Sequence, residues 1–271
     1  MSPIRLTLAG TAVAWAVTLL SLAGSTSATT AAQAPAASGA QQQGKKVFDD
    51  NCARCHGKTG RGDGPDSVKL GFHPRDFTLG AFKCRCTPSG QLPTDEDLMR
   101  SVSKGLPGTP MSAWEKTLSE SDRAAVVQYV KSFSKAFSAG NLPSCQASPT
   151  PPAPSADLVT EGEGLYEKMR CEKCHGKTGR GDGPAAASLK DDWGNAIKPY
   201  NFVVLKAFKC GNDDRDLFRT LQTGLTGTPM PSWADALAYD APVGMSAQET
   251  RDLIDRRTWA LVQYLRSLSG K

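Results

Sequence analysis

Two short stretches of the chain place two thiols and one imidazole at a fixed spacing. They are Cys52–His56 and Cys171–His175, and both follow the pattern Cys-x-x-Cys-His. This spacing is typical of a c-type haem site, because two thiols on one helical turn reach two vinyl groups of a porphyrin while the histidine ligates the iron. A zinc site would need further thiols or imidazoles in each stretch, and the chain has 3 histidines in all.

The sequence therefore predicts two covalently bound haem c groups. The predicted attachment residues are Cys52, Cys55, Cys171 and Cys174, and the predicted iron ligands on one face are His56 and His175. A redox-active Cys-x-x-Cys pair would not require the histidine that follows each motif.

A methionine after Gly-Thr-Pro is the predicted sixth ligand in each half of the chain. Met111 and Met230 end the segments GLPGTPM and GLTGTPM, and each lies 55 residues after the histidine of its own motif. Glycine and proline favour a tight loop that presents the sulfur to a flat ring. A thioether opposite histidine raises the reduction potential of the iron.

Three alternatives to these sixth ligands remain open from sequence. Met245 lies in an insertion of the second half and is the reserve for Met230. His73 would lower the potential of the first iron if it replaced Met111, although HPRDF aligns with KPYNF in the second half and favours a surface role for His73. A cysteine thiolate is the third alternative.

Four cysteines remain outside the two motifs: Cys84, Cys86, Cys145 and Cys210. In an oxidising compartment an even remainder indicates disulfides, and four thiols allow three pairings. One option joins Cys84 to Cys210, which share a position in the repeated segment AFKC, and Cys86 to Cys145. The sequence does not choose among the pairings.

The chain is an internal duplication. CARCHGKTGRGDGP at 52–65 recurs as CEKCHGKTGRGDGP at 171–184, and the AFKC, GTPM and VQY segments recur in the same order. Between these segments the second copy gains seven residues, loses seven, and then gains sixteen before its last helix. Self-similarity of this kind predicts two copies of one folded unit.

Composition divides the chain further. We predict a signal peptide or uncleaved anchor over residues 1–28, because Arg5 precedes an apolar stretch that small residues follow. A flexible tether is predicted over 29–43 and a proline-rich linker over 142–157. The two folded domains are then 44–141 and 158–271.

Helices must position the chemical groups. The pattern predicts a short helix before each Cys-x-x-Cys-His motif, a middle helix that ends at Gly105 or Gly224, and a last helix that opens at Ser119 or Ser246. No run alternates with a period of two for long enough to predict a sheet.

Charge gives no reason to expect nucleic acid as a partner. The formal net charge is +5, and no basic block or aromatic-basic interleaving occurs. The N-terminal segment, cleaved or retained, places the remaining chain outside the cytoplasm, in the periplasm or secreted. Membrane association is expected only through that segment.

These features resemble the class I cytochrome c family in its tandem dihaem bacterial form. The resemblance covers Gly44–Phe137 and Gly162–Leu268. It implies an all-α fold of two small helical bundles, each around its haem, with the N- and C-terminal helices packed together. An iron with both axial positions filled exchanges single electrons, so the partners implied are other redox proteins or a membrane-bound oxidoreductase or respiratory complex.

Two rival functions are considered beside the electron carrier. Dihaem peroxidases and thiosulfate dehydrogenases also carry two Cys-x-x-Cys-His motifs, but they keep one haem open or thiolate-ligated for catalysis. Two matching GTPM loops argue against such an enzyme. The other rival is a cytochrome subunit docked to a larger oxidoreductase, which sequence does not separate from a free carrier.

Overall fold

The computed structural model describes residues 39–70, 73–140, 144–146, 148–204 and 208–269. Over these ranges the regular structure is helical, and β-pairing is limited to one isolated bridge between Lys190 and Ala196. The expected all-α fold class is therefore confirmed. The predicted signal peptide or anchor at 1–28 lies outside the described residues, as does part of the tether, 29–38.

The described chain forms two copies of one helical arrangement, here named the first half (residues 39–140) and the second half (residues 155–269). The α-helices of the first half are α1 (Gly39–Asn51), α2 (Ala53–His56), α3 (Asp95–Lys104) and α4 (Glu120–Lys131). Those of the second half are α5 (Ala156–Lys168), α6 (Glu172–His175), α7 (Asp214–Thr223) and α8 (Ala247–Ser267). No helix in these ranges combines the length and the apolar character needed to span a bilayer.

Side-chain caps fix where the helices begin. Thr94 and Asp213 form capping boxes at the starts of α3 and α7, and Ser246 forms one at the start of α8. Gly105 and Gly224 end α3 and α7 with positive φ angles of 66° each. The ends at Gly105 and Gly224 and the start at Ser246 are those that the sequence predicted.

In each half the first and last long helices cross at a glycine. A Cβ on Gly44 of α1 would overlap the carbonyl of Ala125 in α4, and one on Gly162 of α5 would overlap the carbonyl of Ala260 in α8. Aromatic side chains of the crossing helices also contact each other, such as Tyr166 of α5 and Tyr264 of α8, whose ring centroids lie 5.3 Å apart. The terminal helices therefore pack together as the resemblance implied.

Two expected boundaries are corrected by the structure. The tether predicted over 29–43 ends early, because α1 begins at Gly39 and Gln43 donates to the Asp122 carboxylate of α4 at 2.7 Å. The linker predicted over 142–157 also ends early, because Ser155 caps α5 and accepts from the Leu158 amide. In both cases the first helical turn is largely exposed, so it shows no apolar periodicity in sequence.

Two disulfides and a buried arginine join parts of the chain that are distant in sequence. Cys84 is bonded to Cys210 and Cys86 to Cys145, across separations of 126 and 59 residues. Arg85, between the two bridges, is 1% exposed and donates to the Thr223 carbonyl of the second half at 2.8 Å. One of the three open pairings is thus confirmed, and it holds the two halves together.

Candidate haem sites

The cysteines of each Cys-x-x-Cys-His motif lie on one short helical turn. The amide of His56 donates to the carbonyl of Cys52 at 2.9 Å, and His175 does the same to Cys171 at 2.9 Å. The four motif thiols are half-buried and form no disulfide within the described chain. Helices α2 and α6 therefore present two thiols and an imidazole in one turn, as predicted.

Burial raises the pKa of the first thiol in each motif. Desolvation, reinforced by the neighbouring Cys55, raises the pKa of Cys52 to about 11. Desolvation, reinforced by Glu172, raises the pKa of Cys171 to about 12. Redox-active Cys-x-x-Cys pairs have a thiol whose pKa is lowered. Cys52 and Cys171 therefore have the wrong electrostatics for disulfide exchange.

Backbone carbonyls orient both histidines. His56 Nδ1 lies 3.3 Å from the Arg75 carbonyl and His175 Nδ1 lies 3.0 Å from the Tyr200 carbonyl. A carbonyl only accepts, so Nδ1 carries the proton in each ring. Burial lowers the pKa of both histidines, which keeps the imidazoles neutral. Nε2 of each ring is therefore the bare nitrogen that an iron requires.

A phenylalanine packs against each of these imidazoles. The rings of His56 and Phe77 stack with centroids 4.5 Å apart, and those of His175 and Phe202 stack at the same distance. Phe77 and Phe202 are both buried. The sequence analysis did not single them out, although the alignment of HPRDF with KPYNF matches their positions.

The backbone turns sharply after each histidine. Gly57 and Gly176 have φ angles of 73° and 77°, a region that favours glycine. A Cβ at either position would overlap the carboxylate of Asp63 or Asp182. The glycine-rich continuation of each motif therefore folds back onto its own turn of helix.

The two methionine loops are closed by the same hydrogen bonds. The hydroxyl of Thr109 donates to the Leu106 carbonyl at 2.7 Å and accepts from the Met111 amide at 3.2 Å. Thr228 makes the equivalent bonds to Leu225 and Met230, at 2.7 Å and 3.3 Å. The threonine of GTPM thus closes the loop, and its hydroxyl fixes the position of the methionine backbone.

The surroundings of the two methionines differ. Both side chains are half-buried. Met230 packs against the apolar core of the second half, as Cys171 does, and that core includes Phe202. In the first half, Cys52 and Phe77 belong to the core cluster, and Met111 lies outside it. The structure therefore brings the predicted residues of the second site into one cluster more completely than those of the first.

The residues considered as alternative sixth ligands make other contacts in the structure. His73 is exposed and its ring stacks on Trp193 of the second half, with centroids 5.4 Å apart. Met245 is half-buried in the loop before α8, where its amide donates to the Pro242 carbonyl at 3.3 Å. Cys84, Cys86, Cys145 and Cys210 are consumed in disulfides, so they are not thiolates.

Three buried polar side-chain atoms near the second site have no partner within the described chain: Nε1 of Trp233, Nε1 of Trp259 and Oε2 of Glu172. The indole Nε1 of Trp233, three residues after Met230, is buried and donates to no protein group. Trp233 packs against the same core as Met230 and Cys171. A buried unpaired N–H is costly, so it fits a site completed by an acceptor that the polypeptide does not supply, such as a haem propionate.

Both halves match the same family of known proteins. Residues 39–130 and 157–265 match the family described as cytochrome c oxidase, cbb3-type, subunit III. The chain belongs to this family. It is a c-type cytochrome with two tandem all-α domains, and membership implies covalently bound haem c.

Two relatives of this cytochrome are informative. The cbb3-type cytochrome c oxidase subunit CcoP of Azospirillum sp. (strain B510) is 28% identical over 200 residues, which cover 72% of this chain and 56% of the relative. The chain thus spans little more than half the length of that curated relative. A solved chain of the Kuenenia stuttgartiensis reducing HAO-like protein complex is 42% identical, with a TM-score of 0.75, and the match covers 84% of this chain and 96% of that one.

Proposed function

We propose that this cytochrome binds two haem c groups and passes single electrons between redox partners outside the cytoplasm. In the first half Cys52 and Cys55 form the thioethers, and His56 and Met111 ligate the iron. In the second half the corresponding residues are Cys171, Cys174, His175 and Met230. A haem held in this way supplies a one-electron iron couple with no open position for substrate.

The observation that carries this proposal is the state of the histidines. In each half a backbone carbonyl holds the proton on Nδ1, burial lowers the pKa of the ring, and two thiols precede it on the same turn. This combination fits a haem ligand, because a bare Nε2 is what an iron requires, and the raised pKa values of Cys52 and Cys171 do not fit a redox-active dithiol.

Haem content tests the attachment step. Purified from a host that matures c-type cytochromes, the chain is expected to give two haems per polypeptide in the pyridine haemochrome assay. Cys52→Ser and Cys171→Ser are each expected to broaden the shared haemochrome α-band and shift it to longer wavelength, because one haem then carries one thioether and one free vinyl group. Asn51→Ser, a polar substitution beside Cys52, is the control. One haem or none in the parent protein would refute the proposal.

Carbon monoxide separates the carrier from an enzyme. A reduced iron capped by both histidine and methionine does not bind carbon monoxide rapidly, whereas a catalytic haem with an open position does. We expect no rapid binding at either site of the folded, reduced protein. Rapid binding at one site, together with peroxide or thiosulfate turnover, would favour the dihaem enzyme instead.

A subunit role in a larger redox complex is the second candidate, and the relatives favour it. One relative is named as an oxidase subunit and the other belongs to a HAO-like complex. The partner would then be a membrane-bound oxidoreductase or another multihaem protein. Tagged chain purified from its native host tests this role: co-elution of stoichiometric haem protein supports it, and elution of the chain alone supports a freely diffusing carrier.

A further inference from the structure

Arg75 contacts the candidate histidine ligand of the first half and the loop that precedes the candidate methionine ligand of the second. Its backbone carbonyl accepts the Nδ1 proton of His56 in the first half at 3.3 Å. Its guanidinium donates to the Thr226 carbonyl of the second half at 3.4 Å. Thr226 belongs to the loop that ends at Met230, and that loop is closed by the Leu225 amide on the Met230 carbonyl. One residue therefore connects the histidine of one site to the methionine loop of the other.

The methionine loop is shaped to receive this guanidinium. Gly227 follows Thr226 with a φ of 84°, and a Cβ at this position would lie 3.0 Å from Nη1 and 3.2 Å from Nη2 of Arg75. The missing side chain therefore lets the planar fork lie against the loop backbone. A larger residue would displace the guanidinium or the loop.

Six of the seven residues that the second half gains precede Lys198, and the turn at residues 190–196 that contains this insertion encloses Arg75 from the other side. The insertion forms a tight turn, closed by the Lys190–Ala196 bridge and by the Asp191 carboxylate, which accepts from the amides of Trp193 and Asn195. The Trp193 ring lies 4.7 Å from the Arg75 guanidinium carbon, in a cation–π contact.

Acidic groups of the same turn complete the enclosure. Asp191 and Asp192 act on Arg75 electrostatically, and the Asp192 amide donates to the Gly227 carbonyl at 3.3 Å. The turn thus holds both the guanidinium and the loop that it contacts. The duplication alone does not require such a turn, because the first half lacks these residues.

The equivalent residue of the second half carries a different side chain. Tyr200 aligns with Arg75, and its carbonyl accepts from His175 in the same way. Its ring stacks on Phe208 of its own half, with centroids 4.0 Å apart. The two copies therefore share the contact to histidine, and the side chain of Arg75 extends it to the other half.

We propose that Arg75 is a positioning residue that couples the two iron sites. Its carbonyl orients His56, and its guanidinium, enclosed by Trp193 and the two aspartates, fixes the Met230 loop relative to the first site. Through these contacts of Arg75, a change in the redox state of one iron site then affects the other. This inference rests on the proposed function, because it requires Met230 to ligate an iron.

The test uses Arg75→Met and Arg75→Lys in the full-length holoprotein. In the reduced state each ligated methionine gives a ring-current-shifted methyl resonance, and the Met230 signal is assigned by its loss in Met230→Leu. We expect both Arg75 variants to shift or broaden the Met230 resonance and to change the potential of the second haem, while the Met111 resonance stays in place. Arg75→Lys keeps the charge, so a change in this variant reports lost positioning.

Arg251→Met is the matched control. Arg251 is exposed on α8 and donates to Gln248 of the same helix, so its loss removes a charge without changing the contacts of Arg75. Unchanged Met230 resonance and unchanged potentials in both Arg75 variants would overturn the inference. If Arg75→Met does not fold, Arg75→Lys decides the question by the same signals. Absence of both methionine resonances from the parent protein would instead refute the proposed ligation.

Discussion

Each candidate iron ligand is held by a hydrogen bond, to a backbone carbonyl for the histidines and to a threonine hydroxyl for the methionines. The carbonyls of Arg75 and Tyr200 orient the two histidines, and the amides of Met111 and Met230 are bound by a threonine two residues earlier. A carbonyl is present whatever side chain the residue carries. The histidine contacts therefore tolerate substitution at positions 75 and 200, and the side chains at these positions can differ between the two halves.

The first prediction concerns the choice between Met230 and Met245. Met230 shares the core cluster of Cys171, whereas Met245 lies in the loop before α8. Met230→Leu is expected to remove the methionine–iron charge-transfer band of the second haem, to lower its potential and to allow rapid carbon monoxide binding, because leucine offers no lone pair.

Met245→Leu is the control for this prediction and keeps the side chain apolar and similar in volume. It should leave the spectrum and carbon monoxide binding unchanged. The opposite result, with loss of the band in Met245→Leu and retention in Met230→Leu, would assign the ligand to the insertion.

The sequence predicted the candidate ligands but not the residues that orient them. Spacing identifies His56 and Met111 because the relevant distances along the chain repeat in the second half. Arg75 acts through its carbonyl and through a contact 151 residues away, and neither leaves a pattern in residue type. Phe77 and Phe202 were available from the alignment, since both copies keep a phenylalanine two residues after Arg75 or Tyr200.

At the scale of elements, the close approach of two helices depends on a missing side chain. Gly162 of α5 is buried against the α8 backbone, where its Cα faces the carbonyl of Ala260. The same arrangement occurs at Gly44 and Ala125 in the first half. Glycine within a helix normally costs about 1 kcal/mol relative to alanine, so its presence at both crossings indicates a packing requirement.

The second prediction contrasts two glycines of α5. Gly162→Ala is expected to lower the free energy of unfolding by about 1–3 kcal/mol, because the added methyl group forces α5 and α8 apart. Gly164→Ala places its methyl group in open space on the same helix and is expected to raise it by about 0.5–1 kcal/mol. Urea denaturation followed by circular dichroism measures both. Equal effects of the two substitutions would contradict the crossing.

Helix starts were predictable where a capping side chain marks them and not elsewhere. Thr94 and Ser246 have the capping sequence pattern, and both begin a helix. The first turn of α1 lies in a run of small and polar residues that predicted a tether. Its order comes from contacts such as Gln43 with Asp122, which join residues 79 positions apart and are invisible to a local pattern.

For the whole molecule, the duplication has become asymmetric at the junction of the halves. The Cys84–Cys210 bridge joins equivalent positions of the two copies, whereas Arg85 and Arg75 both reach from the first half to carbonyls of the second. The insertion at residues 190–196 adds contacts that only the second half supplies. Sequence comparison located this insertion but gave no sign of its role, because that role is set by residues far away along the chain.

The last prediction concerns this junction. Cys84→Ser with Cys210→Ser removes the covalent link across a 126-residue separation, and loop-closure entropy suggests a loss of roughly 4 kcal/mol. The contacts of Arg85 and Arg75 between the halves are polar, so we expect one calorimetric unfolding transition for the parent and two for this variant. Cys86→Ser with Cys145→Ser, which frees the linker from the first half alone, is expected to lower the midpoint and keep one transition. A single transition in the Cys84 and Cys210 variant would show that Arg85, Arg75 and the insertion suffice to couple the halves, and that the disulfide only adds stability.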